Sequence, residues 1–438
     1  MKRTPATARS AGASDQPLGP APVNTERLPA RTAVAVFLAF ALAYFLSALV
    51  RAVTATLSPI LSEELALHAG DLGLLAGGYF LGFALTQLPL GTWLDRFGPR
   101  RVILAFLTVA VAGCAAFALA TSFGGLLAAR VLTGMGVSAC LMAPLTGFRR
   151  WLPPSLQLRA NSWMLMTGSL GMVAATLPVQ WLLPQLGWRG LFWGLAVLIA
   201  LSMLVLRLRV PAWQLPSASP AADAEEAPNA PMGYGEIARH PYFRQMVTIG
   251  FINYGGMIAI QTLWAGPWMV QVTGYTPAGA AQGLFGINLS MLTAFWLWGV
   301  FNPRLVRAGW SAERLIAWGM PLSLGVLGAI VALGGHAGWG FWAAFCMTST
   351  FGALAQPAVG MALPAHVAGK ALSAYNLVIF AGVFAMQWAI GLAADALVFL
   401  GDGGQRLRGA MGLFWLACVA GYVMFWLAWR RANRRPAR

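Results

Sequence analysis

Charge is scarce in this sequence, and acidic residues are its scarcest charged class. Of the 438 residues only 10% are charged, with 13 Asp and Glu against 29 Lys and Arg. A typical soluble domain carries about 25% charged residues. With 58% hydrophobic residues and a mean hydropathy of +0.68, the chain has too little charge to cover a water-facing surface. The composition therefore excludes an ordinary soluble protein and favours one that is embedded in a membrane.

The groups that enzymes use are equally sparse. No Cys/His metal cluster, nucleotide-binding loop or Ser-His-Asp set is visible, and the four histidines are scattered at positions 68, 240, 336 and 366. The cysteines all lie within apolar runs, as packing residues do: Cys114, Cys140, Cys346 and Cys418. We therefore expect no enzyme activity, no catalytic residue, no metal, no cofactor and no disulfide framework.

Long apolar runs, by contrast, are abundant. A helix needs about 20 apolar residues to cross a bilayer. Twelve such runs can be drawn, of which the first six are α1 (33–58), α2 (71–93), α3 (102–121), α4 (123–148), α5 (159–184) and α6 (189–209). The second six are α7 (242–271), α8 (277–302), α9 (314–334), α10 (338–362), α11 (369–397) and α12 (409–430). The pattern predicts an all-α membrane protein.

The segments outside these runs divide the chain into two halves. Residues 1–32 are rich in Ala, Pro and Ser, which predicts a disordered tail. Residues 210–240 hold several prolines and acids, which predicts a flexible linker between bundles at 33–209 and 241–430, with a basic tail at 431–438. Gly171 and Gly382 are separated by the same number of residues as Arg159 and Lys370, a weak internal repeat. We therefore expect two pseudo-symmetric six-helix bundles.

Positive charges follow an alternating distribution. Arg51 and Arg130 fall within apolar runs, and Arg189, Arg406 and Arg408 fall on predicted outer segments. The other bases lie in the tails and in alternate loops, which places both termini in the cytoplasm. The net charge of +16 thus reflects membrane orientation and not nucleic-acid binding. The first apolar run lacks a convincing cleavage site, so we interpret it as a helix that is kept.

The loop between α2 and α3 packs one acid and three bases between glycines. It contains Gly91, Asp95, Arg96, Gly98, Arg100 and Arg101. The glycines would permit a tight turn and close backbone approach, and Asp95 can pair with bases or helix termini. The pattern resembles the signature loop of the major facilitator superfamily of transporters. That resemblance implies a fold of twelve helices in which Asp95 and the three arginines form a latch at the inner gate.

Two arginines carry most of the functional argument. Arg51 lies about eight residues before the predicted outer end of α1, and Arg130 about eight residues after the outer start of α4. At 1.5 Å per residue both lie about 12 Å below the outer boundary. An arginine in a membrane is costly and faces a cavity or a partner, yet no Asp or Glu falls in the middle of any run. We interpret the pair as an anion site, the alternative being bonds to backbone carbonyls or snorkelling outward.

Local resemblances refine this site. Leu126 to Gly136, with Arg130, is similar to a helix 4 motif of the superfamily in which the arginine serves coupling or binding. The region around Arg51 resembles helix 1 of the organophosphate:phosphate antiporters, where the arginine binds phosphate. Those antiporters have a second arginine in helix 7, which this chain lacks, so a carboxylate or mixed aromatic anion fits better. From α7 we expect Tyr254, Gln261 and Trp264 to close the site.

The sequence thus predicts a secondary active or facilitative transporter of a small organic anion that works by alternating access. We expect a monomer in a lipid bilayer. The family resemblance, together with a composition rich in Arg and poor in Lys, implies the bacterial inner membrane. One alternative is a multidrug or solute exporter of the same fold, although the embedded carboxylate that cationic drugs need is not visible. Another is a transporter-like receptor or sensor, for which the short tails and linker leave little room.

Overall fold

The computed structural model describes residues 27–212, 232–364 and 367–434. Most of the predicted N-terminal tail, the centre of the predicted linker and the last four residues of the predicted basic tail lie outside these ranges. The described part of the linker contains a short helix, Tyr234–Arg239, whose Tyr234 hydroxyl donates to the carbonyl oxygen of Leu88 at 3.3 Å. The last helix continues to Arg434, into the predicted tail.

The first six helices fill residues 30–209. Helix α1 is Ala30–Glu64, and α2 begins as Ala69–Leu85. The continuous stretch Gln87–Leu119 holds the end of α2 and all of α3, divided at Gly98, where φ is 77°. Helix α4 is formed by Phe123–Val137 and Ala139–Trp151. Helix α5 begins as Pro154–Ala174, and Leu177–Arg209 holds its end and α6, divided at Gly187 with φ 62°.

The second six helices begin after the linker. Helix α7 occupies Pro241–Gln271, α8 Pro277–Arg307 and α9 Ala312–Leu333. Helix α10 is formed by Trp339–Ser349, a 3₁₀ segment Thr350–Leu354, and Ala355–Ala362. Helix α11 is Ala368–Ala396 and α12 is Gly403–Arg434.

Each of the twelve predicted apolar runs lies on a helix, and the predicted all-α membrane fold is confirmed. Nine helical stretches of the described chain are long and apolar enough to cross a membrane. Breaks near Thr86 and Thr176 and the 3₁₀ turn in α10 divide other spans into shorter pieces. The helix boundaries extend beyond the apolar runs because polar residues continue the backbone hydrogen-bond ladder into the loops.

The internal repeat appears in the packing. A Cβ atom at Gly171 of α5 would clash with the backbone carbonyl of Phe45 on α1, and one at Gly382 of α11 would clash with that of Phe251 on α7. Each glycine therefore lets its helix approach the first helix of its own half, as small residues do in membrane bundles. The two halves repeat the same close contact, which agrees with the predicted pseudo-symmetry.

One of the places where the two bundles meet is the packing of α1 against α7 on the predicted outer side. Pro59 lacks the N–H group that would bond to the carbonyl of Ala55, and the Ser58 hydroxyl donates to this oxygen instead, at 2.8 Å. Gly266 of α7 lies against the same carbonyl, where an added Cβ would be 2.9 Å away. The outer half of α1 is thereby joined to the outer half of α7, away from the loop that holds Asp95.

Candidate functional site

Arg130 is held inside the first bundle by α1. Its side chain is 1% exposed, with Nη1 donating to the carbonyl oxygen of Val50 at 3.2 Å and Nη2 to the Thr54 hydroxyl at 2.6 Å. The guanidinium also lies over the ring of Tyr79, 5.2 Å from its centre. Because Val50 adjoins Arg51 in the chain, the predicted common depth of the two arginines agrees with the structure.

Close helix packing brings Arg130 to this position. Ser122 caps the start of α4 by accepting a hydrogen bond from the Gly125 amide at 3.2 Å. Further along α4, a Cβ at Gly134 would clash with the carbonyl of Tyr79, and one at Gly136 with the backbone of Ala110. These glycines let α4 lie directly against α2 and α3, which turns Arg130 inward.

Arg51 lies among tyrosine side chains. The side chains of Tyr44 on α1 and Tyr79 on α2 interact with its guanidinium. Tyr254 of α7 lies close enough to Arg51 and Tyr44 to interact with both electrostatically. The Arg51 Nε atom is buried and has no hydrogen-bond partner. The Nε atom of Arg130 is likewise buried without a partner, so each of the two arginines keeps one free donor.

Neither central arginine forms an ion pair with a carboxylate in the described parts of the chain. The ion pair found there joins Arg189 to Glu64 at 2.5 Å, at the predicted outer end of α1. Asp395 bonds instead to backbone N–H groups at the start of α2, and Glu313 accepts a hydrogen bond from Tyr242. The centre of the molecule thus carries two positive charges with tyrosine hydroxyls, a serine and a threonine around them.

The three residues predicted from α7 divide into two groups. Tyr254 is close enough to Arg51 for an electrostatic interaction. Gln261 donates to the Asn288 side chain at 3.0 Å, and the Trp264 indole donates to the carbonyl of Gln387 at 3.1 Å. Both of the latter side chains are buried, at 6% and 1% exposed. In this conformation Tyr254 interacts with Arg51, whereas Gln261 bonds to α8 and Trp264 to α11.

Helix α7 contains two π-helical segments that the sequence did not predict. Ile249–Tyr254 ends at Tyr254, and Ile260–Trp264 contains both Gln261 and Trp264. π-Helical turns are rare and frequently occur at functional sites because they shift the side chains that follow them. All three predicted α7 residues therefore lie on the distorted turns of this helix.

Sequence reasoning missed Tyr44, Tyr79 and Thr54. Tyr44 precedes Arg51 by seven residues, about two helical turns, so the helical period already places both on one face of α1. Thr54 is three residues after Arg51, and its spacing could have been noticed in the same way. Tyr79 lies on another helix among glycines, and no local pattern pointed to it.

The loop predicted as a latch is mostly helical. Gly98 makes the predicted turn with φ 77°, but Gly91 lies inside a helix with nothing within 4 Å of an added Cβ, so the expected close approach at Gly91 is wrong. Asp95, Arg96 and Arg101 are exposed. The Arg96 guanidinium lies 5.2 Å from the ring centre of Phe97. Asp95 forms no ion pair within the described residues, so the latch remains a prediction.

Comparison with known proteins identifies the family. The family model of the Major Facilitator Superfamily matches residues 40–387. The chain belongs to this superfamily. The match covers most of both bundles and confirms the family that the α2–α3 loop had suggested. It establishes a multi-pass membrane protein and agrees with the prediction that the chain is not an enzyme.

Superfamily members of similar sequence include carriers named for aromatic acids. A 4-hydroxybenzoate transporter of Pseudomonas aeruginosa is 25% identical over 295 residues, covering 66% of this chain and 63% of the relative. A 3-(3-hydroxy-phenyl)propionate transporter of Escherichia coli is 26% identical over 410 residues, covering 86% of this chain and 93% of the relative. The chain thus spans less than two thirds of the first relative but most of the second.

Solved structures of superfamily members share the fold. A bacterial homolog of the human lysosomal transporter Spinster, in an inward-facing and unoccupied conformation, is 18% identical with a TM-score of 0.72. The aligned region covers 94% of this chain and 100% of the homolog's chain. The POT family transporter PepTSo has a TM-score of 0.72 at 15% identity, and the aligned region covers 93% of this chain and 99% of the PepTSo chain. At such identities the likeness shows the fold alone.

Proposed function

We propose that this chain is a secondary transporter that moves a small organic anion by alternating access. The observation that carries the proposal is the Arg51 side chain, whose Nε, like that of Arg130, is buried without a partner, and which interacts with Tyr44, Tyr79 and Tyr254. A charge inside a membrane protein needs a partner, and no acid of the described chain supplies one to Arg51. An anionic substrate would complete the site.

A carboxylate suits this geometry. The planar guanidinium presents its N–H groups as a fork that matches the two oxygens of a carboxylate. Because tyrosines combine an apolar ring with a hydroxyl, they suit an aromatic acid with polar substituents. The relatives named for 4-hydroxybenzoate and 3-(3-hydroxy-phenyl)propionate support the same class. We therefore take an aromatic carboxylate as the substrate class, with Arg51 and Tyr254 as direct contacts.

The other predicted residues receive supporting roles in this scheme. Arg130 adds positive potential and holds α1 through Val50 and Thr54, so that Arg51 keeps its position. Gln261 and Trp264 maintain the distorted shape of α7 through α8 and α11, and they close over the substrate from the second bundle as the bundles rock.

The gate and the membrane orientation belong to the same proposal. Asp95, with Arg96, Arg100 and Arg101, would latch the cytoplasmic side when the outer side opens, and Asp95 is unpaired and exposed as a released latch would be. The alternating bases place both termini in the cytoplasm of a bacterium, with the carrier in the inner membrane. We propose a monomer, since each chain has both bundles and a site between them.

A thermal-shift screen tests the proposal. The purified protein in detergent is melted with aromatic acids, sugar phosphates, inorganic anions and cationic drugs, because a ligand that binds the folded state raises the melting temperature. We expect aromatic carboxylates to stabilise the wild type and Arg408→Ala but not Arg51→Ala. Arg408 is the matched control, since it bonds to the carbonyls of Val331 and Ala332 at 2.8 and 2.7 Å.

The screen also separates the alternatives. Stabilisation by cationic drugs alone would contradict the anion site and support an exporter. Drugs belong in the screen because a chloramphenicol resistance protein of Streptomyces lividans is 32% identical to this chain over 144 residues, which cover 33% of this chain. Stabilisation by inorganic phosphate and sugar phosphates, with no effect of carboxylates, would contradict the proposed substrate class.

A further inference from the structure

Helices α2 and α11 form a seam between the two bundles. A Cβ at Gly73 would clash with the carbonyl of Gln387, and one at Gly391 would clash with the carbonyl of Ala69. A Cβ at Gly77 would lie 2.9 Å from the ring of Phe384. Backbones that approach this closely bring the last turn of α11 against the first turn of α2.

One carboxylate closes the outer end of this seam. Asp395, in the last turn of α11, accepts hydrogen bonds from the backbone N–H groups of Ala69 at 3.1 Å and Gly70 at 2.7 Å, one on each oxygen. The first N–H groups of a helix have no partner within the helix and carry its positive dipole end. Asp395 supplies both an acceptor and a negative charge to them.

The other acids with hydrogen bonds act within one bundle. Glu64 pairs with Arg189 inside the first half, and Asp71 accepts the backbone N–H of His68. Asp402 accepts the backbone N–H of Gln405 at 2.7 Å at the start of α12. Across the ranges that the structure describes, the carboxylate whose hydrogen bonds connect one bundle to the other is that of Asp395.

We propose that Asp395 is a gating residue that holds the predicted outer side of the transporter closed. When the outer side opens, α11 must leave α2, and the two N–H groups and the carboxylate must separate into water. The strength of this contact therefore sets how often the outer side opens. The inference concerns conformation alone and stands whichever substrate the carrier takes.

Gly70 offers an independent way to disturb the contact. A Cβ at Gly70 would lie 2.7 Å from Oδ2 of Asp395 and 3.3 Å from Leu392. Gly70→Ala therefore displaces the carboxylate while Asp395 itself stays. Asp402→Asn is the matched control, because it removes an outer-end carboxylate that bonds within its own helix.

The test follows the reactivity of a cysteine in the seam. Ala76 is 1% exposed on α2, in a buried cluster with Trp264 and Trp268 of α7. Ala76→Cys places a thiol there, and the four native cysteines are buried. The purified full-length protein is treated with a bulky water-soluble maleimide, and the labelling rate of Cys at this position is measured without any substrate.

We expect Asp395→Asn and Gly70→Ala each to raise the labelling rate about tenfold, as loss of a charge-assisted hydrogen bond implies, and Asp402→Asn to leave it unchanged. Unchanged rates in both variants would overturn the proposal. An equal rise in Asp402→Asn would also overturn it. A further control is Asp395→Asn with Ala76 unchanged. If the labelling rate of its native cysteines rose as much as that of the cysteine at position 76, the protein would be unfolding in general, and this too would overturn the proposal. Failure of every anion in the thermal screen would remove the proposed function but not this result.

Discussion

The two bundles differ in the kind of polar group that they bury. The first bundle buries Arg130 and surrounds Arg51 with tyrosines, and no acid of the described chain neutralises them. In the second bundle the buried polar groups are neutral amides and hydroxyls that bond to one another, as Gln261 does to Asn288 and Gln387 does to Thr262 at 3.0 Å. In our proposal the first bundle therefore attracts the anion and the second bundle shapes the site.

The two arginines also differ from each other. Both have a buried Nε without a partner, but Arg130 has its Nη atoms bonded to α1, whereas Arg51 interacts with the side chains of Tyr44 and Tyr79. Because both bonds of Arg130 go to α1, we expect it to support that helix, and we propose Arg51 as the arginine that binds the ligand. Substitutions can therefore separate binding from support within a single bundle.

The largest effect is expected from Arg51→Ala. Loss of the charge-assisted bonds to a carboxylate should weaken binding by at least about 30-fold, about 2 kcal/mol, without a large change in melting temperature. The affinity of Arg51→Lys should lie between those of the wild type and Arg51→Ala, because lysine keeps the positive charge but lacks the forked N–H groups of the guanidinium. Counterflow of an aromatic acid in proteoliposomes measures the transport that remains in each Arg51 variant. Wild-type counterflow by Arg51→Ala would show that the first bundle does not bind the anion.

The next effect is expected from Arg130→Ala, and it should appear in stability as well as in transport. Removing the guanidinium leaves the Val50 carbonyl and the Thr54 hydroxyl without their donor, a cost of about 1 to 3 kcal/mol. The melting temperature in detergent should therefore fall, and transport should fall with it. A normal melting temperature combined with lost binding would place Arg130 in direct contact with substrate.

A smaller effect is expected from Asp95→Asn in the loop of the first bundle. If Asp95 latches the cytoplasmic side only while the outer side is open, its charge affects the conformational change and not the binding site. Turnover should slow several-fold, roughly 1 kcal/mol, while the dissociation constant stays the same. Binding and uptake measured on the same preparation separate the two. A weaker affinity with unchanged turnover would contradict the latch.

The smallest effect is expected in the second bundle. Tyr254→Phe removes one neutral hydroxyl near Arg51 and should weaken binding by about twofold to threefold. Tyr275→Phe, in the loop between α7 and α8, is the control and should bind normally. Calorimetric titration of both variants gives the affinities. A loss as large as that of Arg51→Ala would mean that both bundles contribute equally to the anion site.

Much of this architecture could be predicted from the sequence. The twelve runs, the turn at Gly98 and the shared depth of Arg51 and Arg130 follow from hydrophobicity, glycine conformation and helical rise, which are local properties. The repeat of Gly171 and Gly382 also appeared in the packing. The family resemblance came from the same local loop, and the family model agrees with it.

Other features depend on contacts between distant segments. Tyr79 reaches Arg51 from another helix, and Asp395 meets Ala69 across more than 300 residues of chain. Helix α7 also packs against distant helices at these turns: Gly382 of α11 lies against Phe251 in the first π-helical turn, and Gly266, just after the second, lies against Ala55 of α1. Gly91 failed as a turn residue because the helix simply continues through it. No pattern along the chain carries this information.

The central claim is that Arg51 binds the carboxylate of the substrate. It is tested most directly by calorimetric titration of the purified protein with the aromatic acid that gives the largest thermal shift. The wild type and Arg408→Ala should bind this acid with the same affinity, and Arg51→Ala should show no heat of binding in the same concentration range. Equal affinity in all three proteins would contradict the account.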